Sequence, residues 1–121
     1  MSSITCVIIE EDVFVAEDIS ATVQQHFPKV QLCVSASFDQ ARRSMSPTGA
    51  PILVIISGTG MITREMTEED AAGLRTLPVV WIDAPPLVQC DHPGWAFISK
   101  PFTLAGLSAA LEAASGRSAT V

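Results

Sequence analysis

Polar residues that could do chemistry follow several short apolar runs of this sequence, at the point where each run ends. The residues that share this placement are Glu10 and Glu11, Ser57, Asp83, and Lys100. Carboxylates are oxygen ligands that Mg²⁺ prefers, and lysine offers a compact positive charge to phosphoryl oxygens. Where such runs are parallel strands of one sheet, the residues after them meet at one edge and form a candidate binding site.

The runs themselves have the pattern of parallel strands. They are short, rich in β-branched residues and mostly apolar on both faces, as expected for strands buried between two helical layers. The predicted strands are Ile4–Ile9, Val30–Ser35, Ile52–Ile56, Val79–Ile82 and Trp95–Ser99. The second alternates Val30, Leu32 and Val34 against polar residues, which predicts an edge strand with one drier face.

Helix-like segments separate these strands, and the alternation is typical of a parallel sheet with crossover helices. The first runs from Val13 to about Phe27, with Ala16, Ile19, Val23 and Phe27 as its buried stripe. The predicted starts of the others are a Ser37–Gln40 capping box, a Thr67–Asp70 cap and a Thr103 cap. The last helix is expected to bury Leu104, Leu107 and Leu111 and to stop at Gly116.

Four sequence motifs carry a resemblance to a known family. They are VIIEED-x-x-x-AEDI (Val7 to Ile19), PILVIIS (Pro51 to Ser57), LPVVWIDA (Leu77 to Ala84) and FISKPF (Phe97 to Phe102). Together they resemble the receiver domain of two-component response regulators. The resemblance implies a flavodoxin-like α/β fold, (βα)5, with a doubly wound five-stranded parallel sheet of order 2-1-3-4-5 and helices on both faces. One domain is expected over residues 1–121, with a core at about 4–114 and a frayed tail at 115–121.

The family's fourth helix falls at Asp83–Gly94, a segment that contains three prolines and a glycine. A regular helix has little room there, so this helix is expected to be shortened or missing.

The resemblance also implies roles for the residues at the strand ends. Glu10 and Glu11 stand at the acidic pair that helps to bind Mg²⁺, and Lys100 stands at the lysine that contacts the phosphoryl group. Phe97 stands at the aromatic whose rotamer reports activation. The bond between Lys100 and Pro101 is expected to be cis.

Two positions depart from the family. Ser57 occupies the place of the phospho-acceptor aspartate, and Asp83 occupies that of a threonine or serine. A serine cannot form an acyl phosphate, and its hydroxyl is a poor nucleophile without a base. We therefore expect an atypical, stand-alone receiver with a vestigial phosphorylation pocket at Glu10, Glu11, Asp83 and Lys100, and no enzymatic activity.

Other interpretations of these residues stay open. No cofactor is expected, with Mg²⁺ at Glu10 and Glu11 as the alternative, and Asp83 could supply the third carboxylate of such a site. Alternatively, Glu10 and Glu11 are a solvated loop that favours the next helix, and Lys100 pairs with a nearby carboxylate.

Four residues elsewhere in the chain invite a functional or a packing interpretation. Cys90 and His92 are two ligands without partners, so a metal site there is not expected. Trp81 and Trp95 are expected to pack in the core, with exposure of Trp95 at an interface as the alternative.

Composition limits the partners. The chain has 121 residues and a net charge of −6, with its seven basic residues scattered, which argues against nucleic acid. No run is long enough to span a membrane, no signal peptide is apparent, and three widely spaced cysteines fit a cytoplasmic protein. We expect a signalling partner, either a histidine kinase or a downstream effector, and leave a homodimer open. The rival functions are a conventional receiver phosphorylated at Asp83 or Ser57 and a sensor of a small ligand or cation.

Overall fold

One parallel sheet forms the centre of the chain. The computed structural model describes residues 4–44, 52–58, 66–84, 95–99 and 103–119. The strands within them are β1 (Thr5–Ile9), β2 (Gln31–Ser35), β3 (Ile52–Ser57), β4 (Val79–Ile82) and β5 (Ala96–Ile98). Their order is β2-β1-β3-β4-β5, and every neighbouring pair is parallel. The predicted fold class and strand order are confirmed.

Helices cover both faces of this sheet. The helices within the described residues are α1 (Val13–His26), α2 (Phe38–Ser44), α3 (Glu68–Leu74) and α4 (Leu104–Ala119). On one face, α1 and α4 bury side chains such as Ile19 and Leu107 against Ile8. On the other face, α2 and α3 bury Phe38 and Leu74. The alternation of side chains along each buried strand supplies both cores, which is why the strands are apolar on both faces.

Two of the predicted helix starts have side-chain caps, and the one at Thr67 is fully reciprocal. The amide of Gln40 donates to Ser37 Oγ at 3.2 Å, while Gln40 Oε1 accepts from the amide of Ala36 at 3.2 Å. In α3, the amide of Asp70 donates to Thr67 Oγ1 at 3.1 Å, and Asp70 Oδ2 accepts from the amide of Thr67 at 3.0 Å. These contacts satisfy amides that have no partner within the helix.

The last helix differs from its prediction at both ends. Thr103 does cap it, since its Oγ1 accepts from the amide of Gly106 at 2.9 Å. Leu104, however, is 58% exposed, because it lies in the first turn beyond the sheet. The predicted stop at Gly116 is also wrong, since α4 runs to Ala119. A glycine inside a helix costs only about 1 kcal/mol relative to alanine, which neighbouring turns can offset.

The edge strand β2 has the predicted position but not the predicted dry face. Val34 is 51% exposed, whereas Ser35 is buried. Helix α1 packs beside α4 and contacts mainly β1 of the sheet. It therefore leaves β2 uncovered at Val34, near the carboxyl end of that strand. A small difference concerns Phe27, which follows α1 as its C-cap and is only partly buried.

Candidate functional site at the carboxyl edge of the sheet

Strand register brings Glu10 and Ser57 together. Ile9, the last residue of β1, pairs with Ile56 of β3. The next residue of each chain segment, Glu10 and Ser57, therefore lies one step further along the same edge. Ser57 is the final residue of β3 rather than the first residue after it, and it pairs with Ile82 of β4.

A buried hydrogen bond joins these two side chains. Ser57 Oγ donates to Glu10 Oε1. Ser57 is 1% exposed and Glu10 is 6% exposed, so the bond is shielded from water. The other carboxylate oxygen, Glu10 Oε2, accepts from the amide of Asp12 at 3.0 Å. Hydrogen bonds to a buried carboxylate compensate for the solvation that it loses on folding.

Asp12 is a residue whose role the sequence analysis missed. Its Oδ1 accepts from the amides of Phe14 at 2.9 Å and Val15 at 3.4 Å, which makes Asp12 the N-cap of α1. The sequence did contain a signal for this cap, because aspartate is favoured directly before the first helical residue. The three consecutive acids after β1 therefore differ in role: Glu10 is buried, Glu11 is exposed, and Asp12 caps the helix.

The described side chains do not assemble the donors that Mg²⁺ needs. No group of three or more histidine, cysteine or acidic side chains placed to hold a metal occurs in the part of the chain that the structure describes. Both oxygens of Glu10 already accept hydrogen bonds from protein donors. A hard-cation site needs several oxygen ligands, and among the described residues only the Glu10 carboxylate is buried at this edge, so this arrangement does not fit Mg²⁺.

Asp83 lies one residue beyond Ile82, the strand partner of Ser57. Its side chain is exposed, and its backbone φ is 62°, a left-handed conformation that glycine, asparagine and aspartate adopt more readily than other residues. The amide of Asp83 donates to the carbonyl of Ile98 at 2.7 Å, which continues the β4–β5 ladder by one step. Asp83 thus sits at the predicted edge, in a turn.

Two tryptophans support this edge from the core between the sheet and helices α2 and α3. Trp81 is fully buried, and its Nε1 donates to the carbonyl of Gly58 at 2.9 Å. Gly58 has a φ of 103°, which only glycine adopts without strain, so this bond fixes the backbone directly after Ser57. Trp95 stacks on Trp81 with ring centroids 6.0 Å apart and is 6% exposed. Both are packing residues as predicted, and the alternative of an exposed Trp95 is wrong.

Of the remaining residues that the sequence analysis singled out, the structure describes Phe97 alone. Phe97 lies in β5, half-buried against the core that contains the two tryptophans. Lys100, Pro101, Cys90 and His92 lie outside the described residues, as does most of the segment where a shortened helix was predicted. Their roles stay predictions.

Comparison with known proteins agrees with the fold. The chain is similar to a solved structure described as a response regulator receiver modulated diguanylate cyclase from Pelobacter carbinolicus, with a TM-score of 0.68 and 16% identity. The match covers 99% of this chain and 97% of that chain. No protein-family model matches the sequence, and no curated protein matches it. At this identity the likeness establishes a receiver-like fold.

Proposed function

We propose that this chain is an atypical receiver domain of two-component signalling that acts by protein–protein contact, without aspartyl phosphorylation. The receiver-like fold supports a role of the response-regulator type. The observation that carries the proposal is the buried Ser57–Glu10 hydrogen bond at the place where a receiver has its acceptor carboxylate.

The chemistry of Ser57 argues against phosphoryl transfer to it. To attack phosphorus, Ser57 Oγ would have to lose its proton and approach the phosphoryl donor in line. Glu10 is placed to accept that proton, but Ser57 is only 1% exposed, so a phosphoryl donor has no room to approach its oxygen. The pair is therefore suited to holding the ends of β1 and β3 together.

The surface proposed for the contact consists of β5, α4 and the segment that follows Asp83. In the described part of that surface, Leu104 exposes 58% of its area at the start of α4. Strand β5 stands at the edge of the sheet, and Phe97 and Ile98 are both half-buried. Leu104 and the side chains of β5 are the apolar groups that a partner would contact on this proposed surface.

The experiment incubates the purified chain with acetyl phosphate and Mg²⁺ and measures its intact mass. We expect no added phosphoryl group, while a conventional receiver treated in parallel gains one. The Asp83→Asn variant serves as the matched control. An acid-labile, hydroxylamine-sensitive adduct that appears in the wild type and disappears in Asp83→Asn would overturn the proposal.

That outcome would favour the second candidate, a receiver phosphorylated at Asp83. One observation speaks for it: the Asp83 side chain is exposed at the carboxyl edge of the sheet, where a phosphoryl donor could reach it.

A further inference from the structure

A groove lies between α1 and the outer end of β2, away from the proposed β5–α4 contact surface. Its volume is about 320 Å³. Apolar side chains on its walls include Val13, Ala21 and Val34, and the acidic residues Glu11 and Glu17 border it. We call this the α1–β2 groove.

Exposed apolar side chains concentrate at this groove. Val13 is 65% exposed and Val34 is 51% exposed, although strand alternation predicts a buried Val34. Phe14 follows Val13 in the first turn of α1 and is 78% exposed, although it does not line the groove itself. Among the described residues, the other large apolar side chain that is exposed is Leu104, which belongs to α4. Val13 and Val34 line the same groove, and exposed apolar side chains that share a groove mark a candidate interaction site.

Charge identifies the kind of molecule that fits the groove. Glu10, Glu11 and Glu17 contribute to its lining, and no lysine or arginine does so among the described residues. The whole chain carries a net charge of −6. A second copy would bring the same acidic surface against this one, which opposes self-association, whereas a basic partner is attracted.

The shape of the groove favours a helix as the bound element. Its lining residues on α1 run from Val13 to Gln24, which spans about 16 Å at a rise of 1.5 Å per residue. A helix of about eleven residues has this length and presents apolar side chains along one face. We propose that the α1–β2 groove docks a basic amphipathic helix of a partner protein. Its apolar face would contact Val13 and Val34, and its lysine or arginine residues would lie over Glu11 and Glu17.

The test uses two synthetic peptides of identical leucine and lysine composition. In one, the leucines recur at helical spacing on one face; in the other, the order is scrambled. Binding is measured by titration calorimetry, helix formation by circular dichroism, and the binding surface by amide chemical shifts. We expect the amphipathic peptide to bind more tightly, to gain helix on binding, and to shift the amides of α1 and β2 rather than those of α4.

Matched variants separate the groove from general attraction to an acidic protein. Val34→Thr keeps the shape of the side chain and removes apolar contact, whereas Leu104→Thr removes an exposed apolar side chain outside the groove. We expect Val34→Thr to weaken binding at least about threefold and Leu104→Thr to leave it unchanged. Glu17→Gln should weaken binding about twofold at low salt, and Glu68→Gln, on α3, should do so less.

Several results would overturn this inference. Equal affinity for the two peptides, or equal effects of Val34→Thr and Leu104→Thr, would show that the groove does not select its ligand. Binding without helix formation would contradict the proposed shape. Sedimentation that reveals a dimer weakened by Val34→Thr would mean that a second copy occupies the groove instead. None of these results depends on whether the chain is phosphorylated.

Discussion

Replacing Ser57 by aspartate puts a second carboxylate against Glu10 in the buried edge of the sheet. The wild-type hydroxyl donates to Glu10 Oε1, and this donor is lost in the variant. Two like charges about 4 Å apart repel by about 4 kcal/mol at an effective dielectric constant of 20. A domain of this size has a free energy of unfolding of about 5–15 kcal/mol, so Ser57→Asp removes a large part of it.

Mg²⁺ should reverse this loss if the site keeps the geometry of a receiver. A cation between the two carboxylates replaces their repulsion by coordination. At a concentration of 100 times its dissociation constant, a bound ligand stabilises the folded state by about 2.7 kcal/mol. Urea unfolding followed by tryptophan fluorescence, with and without millimolar Mg²⁺, measures the effect. Lower pH should also restore stability, because a proton on either carboxyl removes the repulsion.

Ser57→Asn is the matched control, since asparagine has the shape of aspartate without the charge and its amide can donate to Glu10. We expect it to lose much less stability than Ser57→Asp and to show no response to Mg²⁺. Equal losses in the two variants would refute the role assigned to charge repulsion. A destabilised Ser57→Asp variant that ignores Mg²⁺ would mean that the acidic loop has departed from a metal-binding geometry.

Three further predictions concern the backbone, the thiols and the ion pairs. Asp83→Thr should destabilise the chain by about 1–2 kcal/mol relative to Asp83→Gly, because a β-branched residue is strained at a φ of 62°; urea unfolding of the two variants tests this. Burial raises the pKa of Cys6 to about 12, with a smaller effect from Cys33, so iodoacetamide at pH 8 should leave Cys6 unmodified in the folded chain and modify it in urea. Hydrogen bonds from Arg42 hold the pKa of Asp70 below its ordinary value of 3.8, and Arg42 Nη2 lies 2.9 Å from Asp70 Oδ2. Asp70→Asn should therefore cost about 1–2 kcal/mol at neutral pH. Because the folded-state pKa is depressed, this difference should shrink as the pH falls below about 4; a difference that is constant with pH would contradict it.

The parallel α/β architecture and the placement of polar residues at one edge were predictable from local patterns, whereas the strand order was implied by the family resemblance. Buried strands with apolar residues on both faces alternate with amphipathic helices, and this alternation restricts the fold to a parallel sheet with helices on both faces. The helix caps at Ser37 and Thr67 were equally predictable, because each joins residues three positions apart.

The hydrogen-bond partners of the site residues could not be predicted from the sequence in the same way. Glu10 and Ser57 are 47 residues apart, and only the register of β1 against β3 puts the hydroxyl on the carboxylate. The sequence analysis treated Glu10 and Glu11 as an equivalent pair, but one is buried and the other exposed. Adjacent residues leave a strand end in different directions, and local composition does not specify which of them turns inward.

The sequence by itself determined that this is a parallel α/β domain with charged residues at the carboxyl edge of its sheet and a serine among them. Those features depend on hydrophobic periodicity and on helix caps, which act over a few residues. The tertiary structure decided that Ser57 is bonded to Glu10, that Asp83 has a left-handed backbone, and that Val34 is left uncovered beside α1. These depend on how separate elements pack, because burial and hydrogen bonding between distant residues are set by strand register and helix position.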